Sequence, residues 1–108
     1  MINESPWDGL WWIEGKYGGL CVLTSMMHQV FGDYTYRSGT LEGKVSGRTL
    51  KGRWSEIDVG GFRLVISHDG ETVTGCWWYG DRVTPPKDAQ PWVMEKKTPS
   101  AFELKLGW

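Results

Sequence analysis

Apolar and polar residues alternate along most of this chain with a period of two. That is the spacing of a strand with one buried face. The alternation comes in short runs separated by turn signals, and it predicts strands over 9–15, 19–26, 29–36, 40–46, 49–56, 61–67, 72–79 and 102–106. The connections are Lys16-Tyr17-Gly18, Met27-His28, Arg37-Ser38-Gly39, Gly47-Arg48, Asp58-Val59-Gly60 and His68-Asp69-Gly70. Most place Gly beside a polar residue, as tight hairpins require. Links this short join only antiparallel neighbours. No segment carries a helical period. The expected fold is all-β: an antiparallel up-and-down meander of about eight strands forming a small closed or nearly closed barrel, one domain over residues 1–108.

One stretch breaks the rhythm. Residues 81–101 hold four of the five prolines, namely Pro85, Pro86, Pro91 and Pro99. This stretch reads as a long loop or packed cover before the last strand. Trp92 and Val93-Met94 inside it favour packing over floating.

A short motif recurs along the strands: apolar, any, Gly, any, large. It occurs as Val30-Phe31-Gly32-Asp33-Tyr34, Leu41-Glu42-Gly43-Lys44-Val45, Leu50-Lys51-Gly52-Arg53-Trp54 and Val73-Thr74-Gly75-Cys76-Trp77. The outer and central positions share one parity, so all three face one side of the sheet. Glu42, Lys44, Lys51 and Arg53 take the other parity, which makes that side wet and the motif side the interior. Phe62, Leu64 and Ile66 continue the inner face. An inward Gly lets a strand coil strongly enough to close a small barrel, and leaves room for a neighbouring ring.

The run from Trp7 to Gly80, about two thirds of the chain, resembles a small bacterial Gly/Trp-rich β-barrel domain of lipocalin-like or avidin-like (calycin) type. The matching residues are Asp8-Gly9-Leu10-Trp11, Val30-Gly32-Tyr34, Gly39-Leu41-Gly43-Val45, Leu50-Gly52-Trp54, and His68-Asp69-Gly70 leading into Val73-Gly75-Trp77. The resemblance implies the barrel without naming a ligand. Ser25-Met26-Met27-His28 stands where the group usually carries a Gln and a Gly-Asn turn. Trp12-Ile13-Glu14-Gly15-Lys16 lacks the polar side chains of avidin-like biotin sites, so biotin binding is not carried over.

Composition narrows the classes. The 15 Gly and 8 Trp suit tight turns around a few large core residues. A formal net charge of -1 gives no basic excess for nucleic acid and no electrostatic reason for membrane docking. The opening residues lack the pattern of a signal peptide, and no apolar run is long enough for a spanning helix, which gives a cytoplasmic expectation. Cys21 and Cys76 fall on non-neighbouring strands and are expected to be free thiols. No cofactor is expected.

Alternate turns of a meander fall at the same end. One end collects Met26-Met27-His28, Ser46-Gly47-Arg48 and His68-Asp69-Gly70. The other collects Lys16-Tyr17, Tyr36-Arg37, Glu56-Ile57-Asp58, Tyr79-Gly80-Asp81-Arg82 and the proline-rich stretch, and is the expected mouth. Candidate ligand contacts are Tyr34, Tyr36, Trp54, Trp77, Tyr79 and Trp11, with Arg37, Asp58, Asp81 and Arg82 at the rim. A barrel of this strand number can equally be filled by its own side chains. His28, His68 and Asp69 share an end, but exposed turn residues explain them better than a metal, which wants three or four placed ligands. No nucleophile motif or phosphate loop appears.

The outer face is uneven. Trp12, Phe31, Val65, Cys76 and Trp78 take the outward parity on one wall, and the second strand is apolar in both phases. Such a wall suggests a homo-oligomer, most simply a dimer. Three functions follow as expectations: a module binding an apolar, aromatic or sugar-like small molecule, a filled self-associating interaction module, and, from fold analogy alone, a small isomerase- or cyclase-type barrel enzyme. A sugar-binding variant of the first uses exposed Trp7, Trp92 or Trp108.

Overall fold

The computed structural model describes residues 5–97. Eight antiparallel strands close into a barrel in chain order: β1 Gly9–Ile13, β2 Gly19–Met26, β3 Gln29–Tyr34, β4 Gly39–Ser46, β5 Thr49–Ser55, β6 Val59–Ile66, β7 Thr72–Tyr79 and β8 Gln90–Lys96. A single 3-10 turn, Tyr36–Ser38, joins β3 to β4. This architecture is compatible with a calycin-like barrel. No helix of the described residues is long and apolar enough to cross a membrane.

The last described strand corrects the sequence reading. β8 lies inside the stretch 81–101 that was expected to be loop, and the strand expected over 102–106 falls outside the described residues. Pro91 is what disguises β8. It pairs with Cys76 of β7 near the start of the strand. The Val93 carbonyl accepts from Glu14 N at 2.8 Å, so Val93 and Pro91, which share a parity, turn their backbone polar groups toward β1. β1 ends at Ile13, paired with Met94. Pro91 therefore lies past the end of β1, where no ladder hydrogen bond is needed.

The glycine repeat marks the barrel's tightest backbone approaches. Gly43 and Gly52 face each other across β4 and β5. A Cβ on Gly52 would run into the Glu42 carbonyl and the Gly43 backbone, and one on Gly75 into the Arg63 carbonyl. A second set of glycines seats aromatic rings. Tyr34 lies over its partner Gly39, Trp54 over Gly60 and Trp78 over Gly61. Gly in these places removes the side chain that would block ring or backbone.

The interior is packed at one end. Val30, Leu50, Ile66, Val73 and Met94 are buried toward the plain hairpins. Trp7 plugs that end at 1% exposure, and its carbonyl accepts from Trp11 Nε1 at 2.9 Å. Trp7 and Trp92 are thus core residues rather than exposed sugar platforms, because the segment before β1 folds under the barrel and β8 turns Trp92 inward. Trp108 lies outside the described residues. Cys21 and Cys76 are free thiols.

The two kinds of glycine separate on substitution. Gly52→Ala should lower stability by about 3 kcal/mol, since backbone rather than a mobile side chain is in the way. Gly47 has φ 61° and open space around it, so Gly47→Asn should change stability by less than about 1 kcal/mol. Urea unfolding of both variants measures the contrast.

Candidate functional site

The packed core gives way to a cleft at the opposite end. Its volume is about 780 Å3. The turns after β1, β3 and β5 and the neighbouring ends of β7 and β8 line it, the same end that the sequence marks as a mouth. The walls carry Tyr34, Tyr36, Trp54, Trp77 and Tyr79, with Arg37 at the edge. Those six were expected there. Trp11 was also expected, but it is fully buried below, held by its bond to Trp7. Asp58, Asp81 and Arg82 do not line the cleft.

Arg82 lies on the outside. Its carbonyl accepts from Trp78 Nε1 at 2.9 Å, and the Gly80 carbonyl accepts from Arg53 Nη2 at 2.6 Å. The turn after β7 is thereby strapped over Trp78. That indole faces outward, as its parity requires, yet it is only 4% exposed because Gly61 seats it and the turn covers it. The expectation of an exposed Trp78 is corrected on this point. Trp12 and Phe31 do stand exposed on the outer wall, while Val65 and Cys76 are half-buried.

The rings form two edge-to-face groups, Tyr17, Tyr36, Trp54, Trp77 and Tyr79 in one and Tyr34, Trp92 and Phe62 in the other. Trp77 sits 5.7 Å from Trp54, 5.2 Å from Tyr79 and 6.0 Å from Tyr17, centroid to centroid. Tyr17 in turn meets Tyr36 at 5.1 Å. Trp92 closes the floor between Tyr34 and Phe62. Trp54 is fixed by an N–H donated to the Trp78 carbonyl at 3.2 Å. Such contacts hold the rings in place. At the rim, Lys16 lies over Tyr17 at 5.5 Å and Arg37 over Tyr36 at 5.3 Å.

Two features of the site escape a strand-by-strand reading. The first is Glu56, whose carboxylate accepts the Tyr34 hydroxyl at 2.6 Å. Its signal was available, because Glu56 shares the inward parity of Trp54. The second is the seam between β1 and β8, which has three register pairs. Beyond the bond from Glu14 N to the Val93 carbonyl, β8 continues without a β1 partner, and Glu14, Gly15, Gln90, Pro91 and Val93 line that side opening of the cleft. This gap depends on the placement of β8.

Burial, then the hydrogen bond and charge of Glu56, push the Tyr34 phenol well above its ordinary range. Burial, with Asp33 adding, pushes the Cys21 thiol up to about 12. Among the described residues no cluster of His, Cys, Asp and Glu could hold a metal. The chemistry on offer is ring surface, one inward carboxylate and a neutral phenol.

Both raised groups are neutral in the fold. The Cys21 contribution is complete below the unfolded thiol's 9.0 and is lost as pH climbs toward about 12, while that of Tyr34 begins to be lost only above the unfolded phenol's 10.0. Alkaline titration should show stability falling through that window. Tyrosinate absorbance from Tyr34 should appear only as the fold opens, and Tyr34→Phe should lack that late step. Comparison with known protein families, with characterised proteins and with solved structures finds no match to this chain.

Proposed function

We propose that the barrel's open end binds a small organic molecule with a flat or apolar body. The observation that carries this reading is the cleft of about 780 Å3 walled by preset aromatic rings. Sites for small molecules are concave and mostly apolar, with a few placed polar groups. Here the charged residues lining the cleft are Glu14, Lys16, Arg37 and Glu56.

N-phenyl-1-naphthylamine, an uncharged probe that brightens in apolar cavities, tests the reading. It should bind at one saturable site per chain. Trp77→Ala should weaken binding about tenfold, a change of the size expected from losing ring contacts. Trp12→Ala, on the outer wall, should leave it unchanged. Loss of binding with Trp12→Ala alone would move the site to the outside.

A second reading concerns that outer wall. Trp12 and Leu20 pair across β1 and β2, and with Val22 and Phe31 they form a patch of side chains 39–48% exposed. Burying such a patch against a second copy would remove it from water. Sedimentation of the wild type should show a dimer at micromolar concentration, and Val22→Lys should yield monomer. A wild-type monomer at that concentration overturns self-association and leaves the cleft untouched.

A further inference from the structure

The charges of the cleft are arranged in depth. Lys16 and Arg37 are exposed at the rim, and each already rests on a ring, Tyr17 and Tyr36. Glu14 is exposed at the side opening. Glu56 is half-buried and follows the inward parity of Trp54. Its carboxylate accepts the Tyr34 hydroxyl. That donor is neutral, so the bond orients the carboxylate without cancelling its charge. The described residues contain one ion pair, Lys97 with Glu95, and it lies elsewhere.

Glu56 shares the cleft lining with the buried Trp54, the half-buried Trp77 and Tyr79, which is 60% exposed toward the rim; the three rings meet edge to face. Among the described residues no lysine or arginine lies over any of these three rings. An aromatic face carries negative potential and attracts cations, most strongly where water is excluded. An uncompensated carboxylate acts in the same sense. The inner cleft therefore favours positive charge on two independent grounds, while its walls favour an apolar body.

We infer that the ligand is a small organic ammonium ion, its charged group held by Glu56 and the Trp54, Trp77 and Tyr79 rings. This rests on the cleft being a ligand site at all. The apolar body of the ligand lies along Trp92 and Ile13, toward the side opening. Lys16 and Arg37, held at the rim by their own rings, leave the inner position vacant for the ligand's charge and disfavour a second cation outside it.

Benzyltrimethylammonium and its uncharged carbon isostere, neopentylbenzene, separate charge from shape. Indole N–H signals in NMR and tryptophan fluorescence report binding of either. The cation should bind the wild type at least about tenfold more tightly than the isostere. Glu56→Gln should remove most of that preference, with the isostere's affinity unchanged. Should Glu56→Gln fail to fold, the wild-type comparison decides alone. An isostere that binds as well as the cation overturns the charge inference and keeps the cleft as an apolar site. Binding of N-phenyl-1-naphthylamine but of neither compound does the same. If none of the three binds, the ligand site itself is overturned as well.

Discussion

Closing eight strands into a narrow barrel forces neighbouring backbones together on the inside of every coil, and a side chain at those points would collide with a carbonyl. Gly43, Gly52, Gly60 and Gly75 occupy such points. The rest follows from their absence of a Cβ. Rings that could not fit over ordinary strand residues lie flat on Gly39, Gly60 and Gly61. Those rings then carry the hydrogen bonds that tie one strand to the next turn, as Trp54 does to Trp78 and Trp78 does to Arg82. Chain entropy is lost at each inward glycine, and the packing of a large aromatic beside it offsets that loss.

This constraint was legible in the sequence because it repeats. Four copies of one motif with one parity fix the inner face, and seven of the strands fall where alternation puts them. The eighth was hidden by local chemistry. Pro91 is a strand breaker by composition, and only the end of β1 makes it harmless there. Trp7 was hidden for the opposite reason. It precedes the first alternating segment, so no periodicity assigns it a face, and burial under the barrel is a tertiary fact. Trp78 shows the limit of parity itself. Parity predicts direction, whereas exposure depends on whether a turn such as Gly80–Arg82 lies across the ring.

The site was legible to the same depth. Inward parity and turn position together place Tyr34, Tyr36, Trp54, Trp77 and Tyr79 around one opening. Rim loops are different, since a turn residue has no parity to inherit. Asp58 and Arg82 sit at the right end of the barrel and do not line the cleft, while Lys16 and Tyr17 at the same end join it. The seam between β1 and β8 could not be read at all without the position of β8.

Packed core and cleft divide along the barrel axis. The closed end, with Trp7, Trp11 and the aliphatic core below the glycine belt, is dry and filled. That packing supports strands whose other ends need not meet. β1 stops at Ile13, a last bond joins Glu14 to Val93, and the part of β8 from Gln90 to Trp92 lines the cleft without a β1 partner. An eight-stranded barrel filled along its whole length would have no room for a guest. Here the same short first strand that weakens the closure provides the space. It also leaves Glu56 and its neighbouring rings facing a cleft rather than a packed core, so their charge and ring faces are available to a molecule from outside.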